Sequence, residues 1–237
     1  MMRRQSTSTS PRWPAAGTLF LLLGVLSGVL LGACGGAQPR DRIPRQRSVE
    51  SYVAMLEGDG RVEWQKPAEL VAALDISRGQ TVGDVGSGSG YFLPFLADAA
   101  GPTGRVVAQD IDEEHIEVLE ARIERDGFTN VETLLGDPDD PGLAAGTFDV
   151  ILIVDVYHHV PEPGPFLRAL GEALAPGGRL AIVDFPPGDH VPESVAGSRH
   201  RIARDRVIAE AETAGLVLHR EHTFLEYQFF VELTRPE

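Results

Sequence analysis

The chain has 237 residues, 35 of them acidic against 21 basic, for a formal net charge of −14 at neutral pH. A surface this acidic is a poor match for the phosphates of nucleic acid or for an anionic bilayer. Cys34 is the single cysteine, which excludes disulfides, cysteine-ligated zinc and a cysteine nucleophile anywhere else in the chain.

A basic, Ser/Thr-rich start with Arg3, Arg4 and Arg12 leads into an apolar run from Thr18 to Ala33. That run is short for a membrane span, which needs about 20 apolar residues, and suits the core of a signal peptide over residues 1–33. It ends in Leu31-Gly32-Ala33-Cys34, which resembles the bacterial lipobox, where the cysteine is lipidated and becomes the mature N-terminus. The expected location is therefore the cell envelope or periplasm, on a membrane through lipid at Cys34. Arg40, Arg42, Arg45 and Arg47 follow, and basic residues behind a membrane segment tend to stay on the cytoplasmic side. A cytosol-facing signal anchor is thus the alternative. Residues 34–47, rich in Gly, Pro and Arg, read as a flexible tether, and residues 48–237 as one domain with a full core. Without the three signal arginines, 18 basic residues face 35 acidic ones, near −17.

From Gln80 onward, short β-rich runs alternate with helix-period segments, and each junction carries Gly, Pro or Asp. That order predicts a mostly parallel sheet with helices on both faces. The first strand, Thr81 to Val85, enters the turn Gly86-Ser87-Gly88-Ser89-Gly90 and a helix expected from Tyr91 to about Ala100, with Pro94 tolerated in its first turn. The second, Arg105 to Gln109, ends at Asp110. Asp112 can cap the next helix, Ile116, Leu119 and Ile123 share one face of it, and Gly127 stops it. A third strand, Val131 to Leu135, closes on Gly136-Asp137-Pro138. The fourth, Phe148 to Val154, is apolar enough to be central. A helix with Phe166, Leu167, Leu170 and Leu174 on one side precedes the turn Pro176-Gly177-Gly178 and a fifth strand, Arg179 to Asp184. The last helix, about Arg201 to Ala214, stops at Gly215. Two β-rich runs, Leu216 to His222 and Phe224 to Thr234, are expected to pair antiparallel.

The glycines of "TVGDVGSGSGYF" let the chain turn sharply and let backbone approach a ligand at a helix N-terminus. Their spacing is G-x-G-x-G, and Tyr91 stands where a dehydrogenase fingerprint carries its third glycine, which disfavours a nicotinamide oxidoreductase. Asp110 lies 20 residues after Gly90, at the end of the second strand, where a carboxylate can accept both hydroxyls of an adenosine ribose.

Taken together, these motifs resemble the class I S-adenosylmethionine-dependent methyltransferases, particularly the small-molecule branch, over nearly all of Trp64 to Leu233. "VGDVGSGSGYF" resembles the family's glycine motif, carried by Gly86, Gly88 and Gly90, with Asp84 in the acidic place that helps hold the methionine part of the ligand. "VVAQDID" resembles the ribose motif, carried by Asp110 with Ile111 beside it, and "LLGDPDD" the adenine-side motif, carried by Asp137. "FDVILIVDVYHHV", in which Asp155 joins the cofactor residues, and "LAPGGRLAIVDF" resemble the fourth strand and the turn into the fifth. "WQKPAELVAAL" is similar to the segment that closes over the cofactor, and the terminal hairpin agrees with the family's reversed last strand. The resemblance implies an α/β, doubly wound, mostly parallel seven-stranded Rossmann-like sheet ending in an antiparallel hairpin. It implies S-adenosylmethionine as cofactor and a small-molecule methyl acceptor.

A sulfonium methyl is already activated, so the protein must align a nucleophile, exclude water and, for some acceptors, take a proton. Asp84 and Tyr91 suit the neighbourhood of a cationic sulfur. Tyr157, His158 and His159 in "VDVYHHVPEP" fall at the carboxyl edge of the sheet and are the catalytic candidates, a histidine there being a suitable base. The other reading is that one histidine caps the loop and the other is solvated. Asp155 and Asp184 end adjacent central strands, much as the magnesium carboxylates do in catechol-type O-methyltransferases. Phe185 stands where that resemblance expects Asn, so no metal is assigned. The basic run "SRHRIARDR" reads as a solvated helix face offset by Asp205 and Glu210, or else as a lid continuing from the Gly/Pro-rich stretch Gly188 to Gly197. Because S-adenosylmethionine is made in the cytosol, an exported lipoprotein that keeps the fold without the reaction is the rival reading.

Overall fold

The computed structural model describes residues 60–236, with Val53, Ala54, Glu57 and Gly58 ahead of them. The expected signal peptide, Cys34 and the tether lie outside the described residues. Among those described, no helix is long and apolar enough to cross a membrane.

Two short helices, α1 (Arg61–Gln65) and α2 (Pro67–Ala73), come first. They are separate because Pro67 disfavours helical backbone at the residue before it, and Lys66 takes φ 49° instead. Then follow β1 (Thr81–Val85), α3 (Leu93–Ala100), β2 (Arg105–Asp110), α4 (Glu113–Asp126), β3 (Val131–Leu135) and β4 (Phe148–Val154). A single 3-10 turn, Tyr157–His159, leads to α5 (Pro163–Ala173), β5 (Leu174–Asp184), α6 (Arg204–Thr213), β6 (Val217–His222) and β7 (Phe229–Thr234). The seven strands lie in the order β3-β2-β1-β4-β5-β7-β6. Pairing is parallel from β3 to β5, while β7 runs antiparallel to both β5 and β6.

Strand side chains alternate between faces, and the two cores follow from that alternation. Val82, Val106, Val150, Leu152 and Val183 pack under α2, α3 and Leu119 of α4. Ile151, Ile153, Leu180 and Ile182 pack under α5 and α6. The expected α/β sheet with its reversed end is the observed one. Several boundaries move. The glycine turn runs on through Phe92, so α3 begins at Leu93 with Pro94 in its first turn. β5 reaches back to Leu174 through a register shift against β4, and Gly178 is needed there because a Cβ would stand 2.5 Å from the Phe148 carbonyl oxygen. α6 begins at Arg204 instead of Arg201, and β7 at Phe229 instead of Phe224. Both shortened elements leave connecting chain at the carboxyl edge of the sheet, with consequences for the site.

Candidate functional site

The glycine turn hangs on the end of β2. The backbone N–H groups of Gly86 and Ser87 donate to the Gln109 carbonyl at 2.8 and 2.9 Å. Gly86 has φ 74°, and a Cβ on it would stand 2.5 Å from a Val156 methyl, so no other residue fits there. Asp110, 6% exposed, takes the Gly88 N–H on Oδ2 at 2.8 Å and the Ile111 and Asp112 N–H groups on Oδ1 at 2.8 and 3.1 Å. His115, from the first turn of α4, places Nδ1 3.1 Å from the same Oδ1. Burial pushes the Asp110 carboxyl up, but the His115 contact and the backbone donors outweigh it and hold it below the usual value.

Asp84, 4% exposed, accepts the Ser87 hydroxyl at 2.9 Å. Burial raises its carboxyl to about 6, opposed by the Ser87 hydrogen bond and by the positive charge of Arg61, and reinforced by the negative charge of Asp110. Arg61 of α1 reaches over the same region. Its guanidinium carbon is 4.2 Å from the centre of the Tyr91 ring, its Nη2 is 3.5 Å from Asp155 Oδ2, and its Nε donates to Gln65 at 2.7 Å. Gln65 in turn donates to Gln228 at 2.9 Å, and Gln228 donates to Asp155. Asp155 sits at φ 58°, a conformation uncommon for a residue with a side chain and concentrated at functional sites. Burial pushes its carboxyl up to about 7, opposed by Arg61 and reinforced by Asp184.

These residues fit S-adenosylmethionine. The Tyr91 hydroxyl and the Ser89 Oγ, both in the glycine turn, are buried with no hydrogen-bond partner among the described residues, a pattern that a bound polar ligand resolves. Ile111, just past β2, and Leu135, the last residue of β3, are 55% and 48% exposed, apolar surface of the kind that suits a planar base. Asp137 is exposed shortly after Leu135, at a tight turn in which its N–H donates to the Asp140 carbonyl at 2.8 Å.

The catalytic candidates separate into two groups. Tyr157 is 1% exposed and donates its hydroxyl to Glu210 of α6 at 2.8 Å. Burial and Glu210 hold the phenol above its usual value, so at neutral pH it is a hydrogen-bond donor and ties the turn to α6. His158 places Nδ1 2.8 Å from Oδ1 of the fully buried Asp184, whose Oδ2 accepts the His158 backbone N–H at 3.1 Å. Phe185 N–H also donates to Asp184 Oδ1, at 2.8 Å. The oxygens of Asp184 are engaged in this way, and those of Asp155 face Arg61 and Gln228. His158 Nε2 faces His200 Nδ1 at 3.2 Å, and the His159 ring centre is 4.1 Å from that of His158. Burial and the neighbouring His158 and His200 rings push His159 down to about 4.

The basic run divides by role. Arg201 donates to the carbonyls of Gly188, Val191 and Ala196 at 2.6, 2.9 and 2.7 Å, clasping the loop that sequence reading treats as a lid. Arg204 pairs with Glu221 and Arg206 with Glu210, as a solvated helix face would. Arg61, Gln65, His115, His200 and Gln228 are site residues that the sequence reading missed. His200 stood inside the quoted run, and its neighbour His158 is 42 residues away.

Known proteins align with this arrangement. The methyltransferase domain family matches residues 76–218. A protein-L-isoaspartate O-methyltransferase of Methanothrix thermoacetophila is 33% identical over 115 residues, 48% of this chain and 52% of that protein. The ubiquinone/menaquinone biosynthesis C-methyltransferase of Klebsiella pneumoniae is 32% identical over 111 residues, 46% of this chain and 44% of that one. The chain thus spans about half the length of these curated relatives. Among solved structures, an S-adenosylmethionine-dependent methyltransferase from Aquifex aeolicus superposes with TM-score 0.70 at 27% identity, over 79% of this chain and 98% of that one.

Proposed function

Because the chain belongs to the methyltransferase domain family and uses S-adenosylmethionine, we propose that it methylates a small-molecule acceptor seated against the His158–Asp184 edge of the sheet. The cosubstrate supplies a methyl group already activated on a cationic sulfur. Asp110 binds the ribose hydroxyls through Oδ2, which takes only the Gly88 N–H and keeps an acceptor position, whereas Oδ1 faces Ile111, Asp112 and His115. Ile111 and Leu135 flank the adenine, and Asp137 accepts from its amino group. Asp84 meets the ammonium of the methionine part and Arg61 its carboxylate, with the Tyr91 ring and Asp155 holding Arg61 in place.

On the acceptor side, Asp184 fixes the proton of His158 on Nδ1 and leaves Nε2 as the atom that takes a proton from the acceptor. A small acceptor is favoured by the cleft of about 240 Å³ lined by Tyr157, His158, Arg201, Arg206 and Glu210, and by the relative named for quinone biosynthesis. Lipidation at Cys34, which lies outside the described residues, is the anchoring that the "LGAC" motif supports.

The observation that carries the reading is the Asp110–Gly88 hydrogen bond, which makes the ribose acid and the glycine turn one unit. Calorimetry of the full-length chain with S-adenosylmethionine and with NAD tests it. Saturable binding of the first and none of the second is expected; binding of NAD alone refutes the reading.

A further inference from the structure

We propose that His158, His159 and His200 form a binding site for one divalent transition metal of the zinc type, at the same sheet edge but distinct from the cofactor residues. One ligand nitrogen from each ring lies within 4.8 Å of the others. The separation of His158 Nε2 and His200 Nδ1 is 3.2 Å. Two nitrogens on a tetrahedral zinc, each about 2.0–2.1 Å from the ion, stand roughly 3.3 Å apart.

Three further features argue for a site and against a chance contact. The first is behind His158: Asp184 accepts from Nδ1 at 2.8 Å and is itself fixed by two backbone N–H groups. That is the carboxylate–histidine pairing that orients imidazole ligands and raises their basicity. The second is the third ligand's support. His200 precedes Arg201, whose guanidinium clasps three carbonyls of the preceding loop, so the backbone that carries the ring is anchored and not a free loop. The third is that a His158–His200 hydrogen bond accounts for two rings only. It leaves unexplained why the partly covered His159 ring turns in to 4.1 Å from His158 and 5.1 Å from His200. Three protein ligands leave a fourth position for water or for an oxygen or nitrogen of an acceptor, the pattern of catalytic zinc sites. With metal bound, the rings would be ligands and the ion would lower the pKa of a coordinated acceptor hydroxyl, whose proton would then pass to solvent water instead of to an imidazole.

The test uses the full-length chain carrying an affinity tag without histidine, stripped with chelator and titrated with Zn²⁺ by calorimetry and with Co²⁺ by absorption. One ion per chain and the intense visible bands of four-coordinate Co²⁺ are expected. His159→Ala and His200→Ala should each weaken binding at least tenfold, and Asp184→Asn by about 10–100-fold. His219→Ala, on the exposed edge strand β6, should leave it unchanged. Absence of stoichiometric binding, or binding that survives the His159→Ala/His200→Ala double substitution, overturns the site. S-adenosylmethionine affinity of the same metal-free protein reports on the cofactor residues alone, so a failure of the metal site is separable from a failure of the methyltransferase reading.

Discussion

Asp110 Oδ2 accepts the backbone N–H of Gly88 at 2.8 Å, so the acid that ends β2 also sets the shape of the turn that follows β1. Asp110→Ala therefore removes the ribose partner and loosens the turn together. A loss of about 1.5–3 kcal/mol in S-adenosylmethionine binding is expected, the range for hydrogen bonds to a charged group. Calorimetry measures it, and unchanged affinity would place the ribose elsewhere.

Asp84 gives a pH dependence with a definite sign. Its carboxyl rises from 3.8 to about 6 on folding, so the folded state binds the proton more tightly than the unfolded one. The contribution is favourable below pH 4 and is lost as pH rises through about 6, a cost of roughly 3 kcal/mol at 1.36 kcal/mol per unit. Asp84→Asn should accordingly raise the melting temperature of the ligand-free protein at pH 8 while weakening S-adenosylmethionine. In the unsubstituted protein the thermal shift given by the ligand should grow from pH 5 to pH 7, as the carboxylate that meets the ammonium ionises. A ligand shift that is flat with pH, or equal in the variant, would count against this role.

Arg61 and Asp155 form a pair 3.5 Å apart in which the acid is the strained partner. Removing the cation leaves a half-buried carboxylate supported only by the neutral amides of Gln228 and Gln65 among its hydrogen-bond partners. Arg61→Ala should cost about 1–3 kcal/mol at pH 8, and less at pH 6, where Asp155 is protonated and misses no cation. Asp155→Asn in the Arg61→Ala background should recover most of the loss, and denaturant melts at both pH values would show it.

Tyr157→Phe keeps the ring in the core and deletes only the bond to Glu210. Stability should fall by about 0.5–1.5 kcal/mol. Turnover, once an acceptor is in hand, should stay within about twofold. A hundredfold loss of turnover with an intact fold would instead make the phenol part of the chemistry.

Cys34→Ser should abolish incorporation of radiolabelled palmitate and release the chain from membranes or leave it as an uncleaved precursor. Protease accessibility in spheroplasts reports the side on which the domain lies. A wild-type chain that takes up no label and stays protected would identify a cytosol-facing anchor.

The strands and the acids that end them were legible because both follow from local pattern. β4 is apolar from Val150 to Val154 since both its faces are covered there, and Asp84, Asp110 and Asp155 stand in or beside strands whose period is plain. What escaped was brought in by loops and a short helix. Gln228, in the connection before β7, and Arg61, on the five-residue helix α1, meet Asp155 from opposite ends of the domain, and polar residues in so short a helix or connection carry no period to mark them. The start of α6 was misread for a related reason. Arg201 fits a helical face by composition, but its guanidinium satisfies loop carbonyls, and that tertiary demand keeps the chain extended up to Arg204. His200 is positioned by the same departure.

The placement of β7 between β5 and β6 bears on how the protein is made. Asp184 is in register with Phe229, so the strand that holds the carboxylate behind His158 gains its outer neighbour only when a strand well downstream in the chain arrives. Until then the ribosome-bound chain presents β5 as an open edge, a template for pairing with other chains. A nascent polypeptide that lingers at this stage is exposed to aggregation and to proteases, and the half of the sheet built around β1 and β2 must wait, already stocked with its cofactor residues, for a partner edge that closes late.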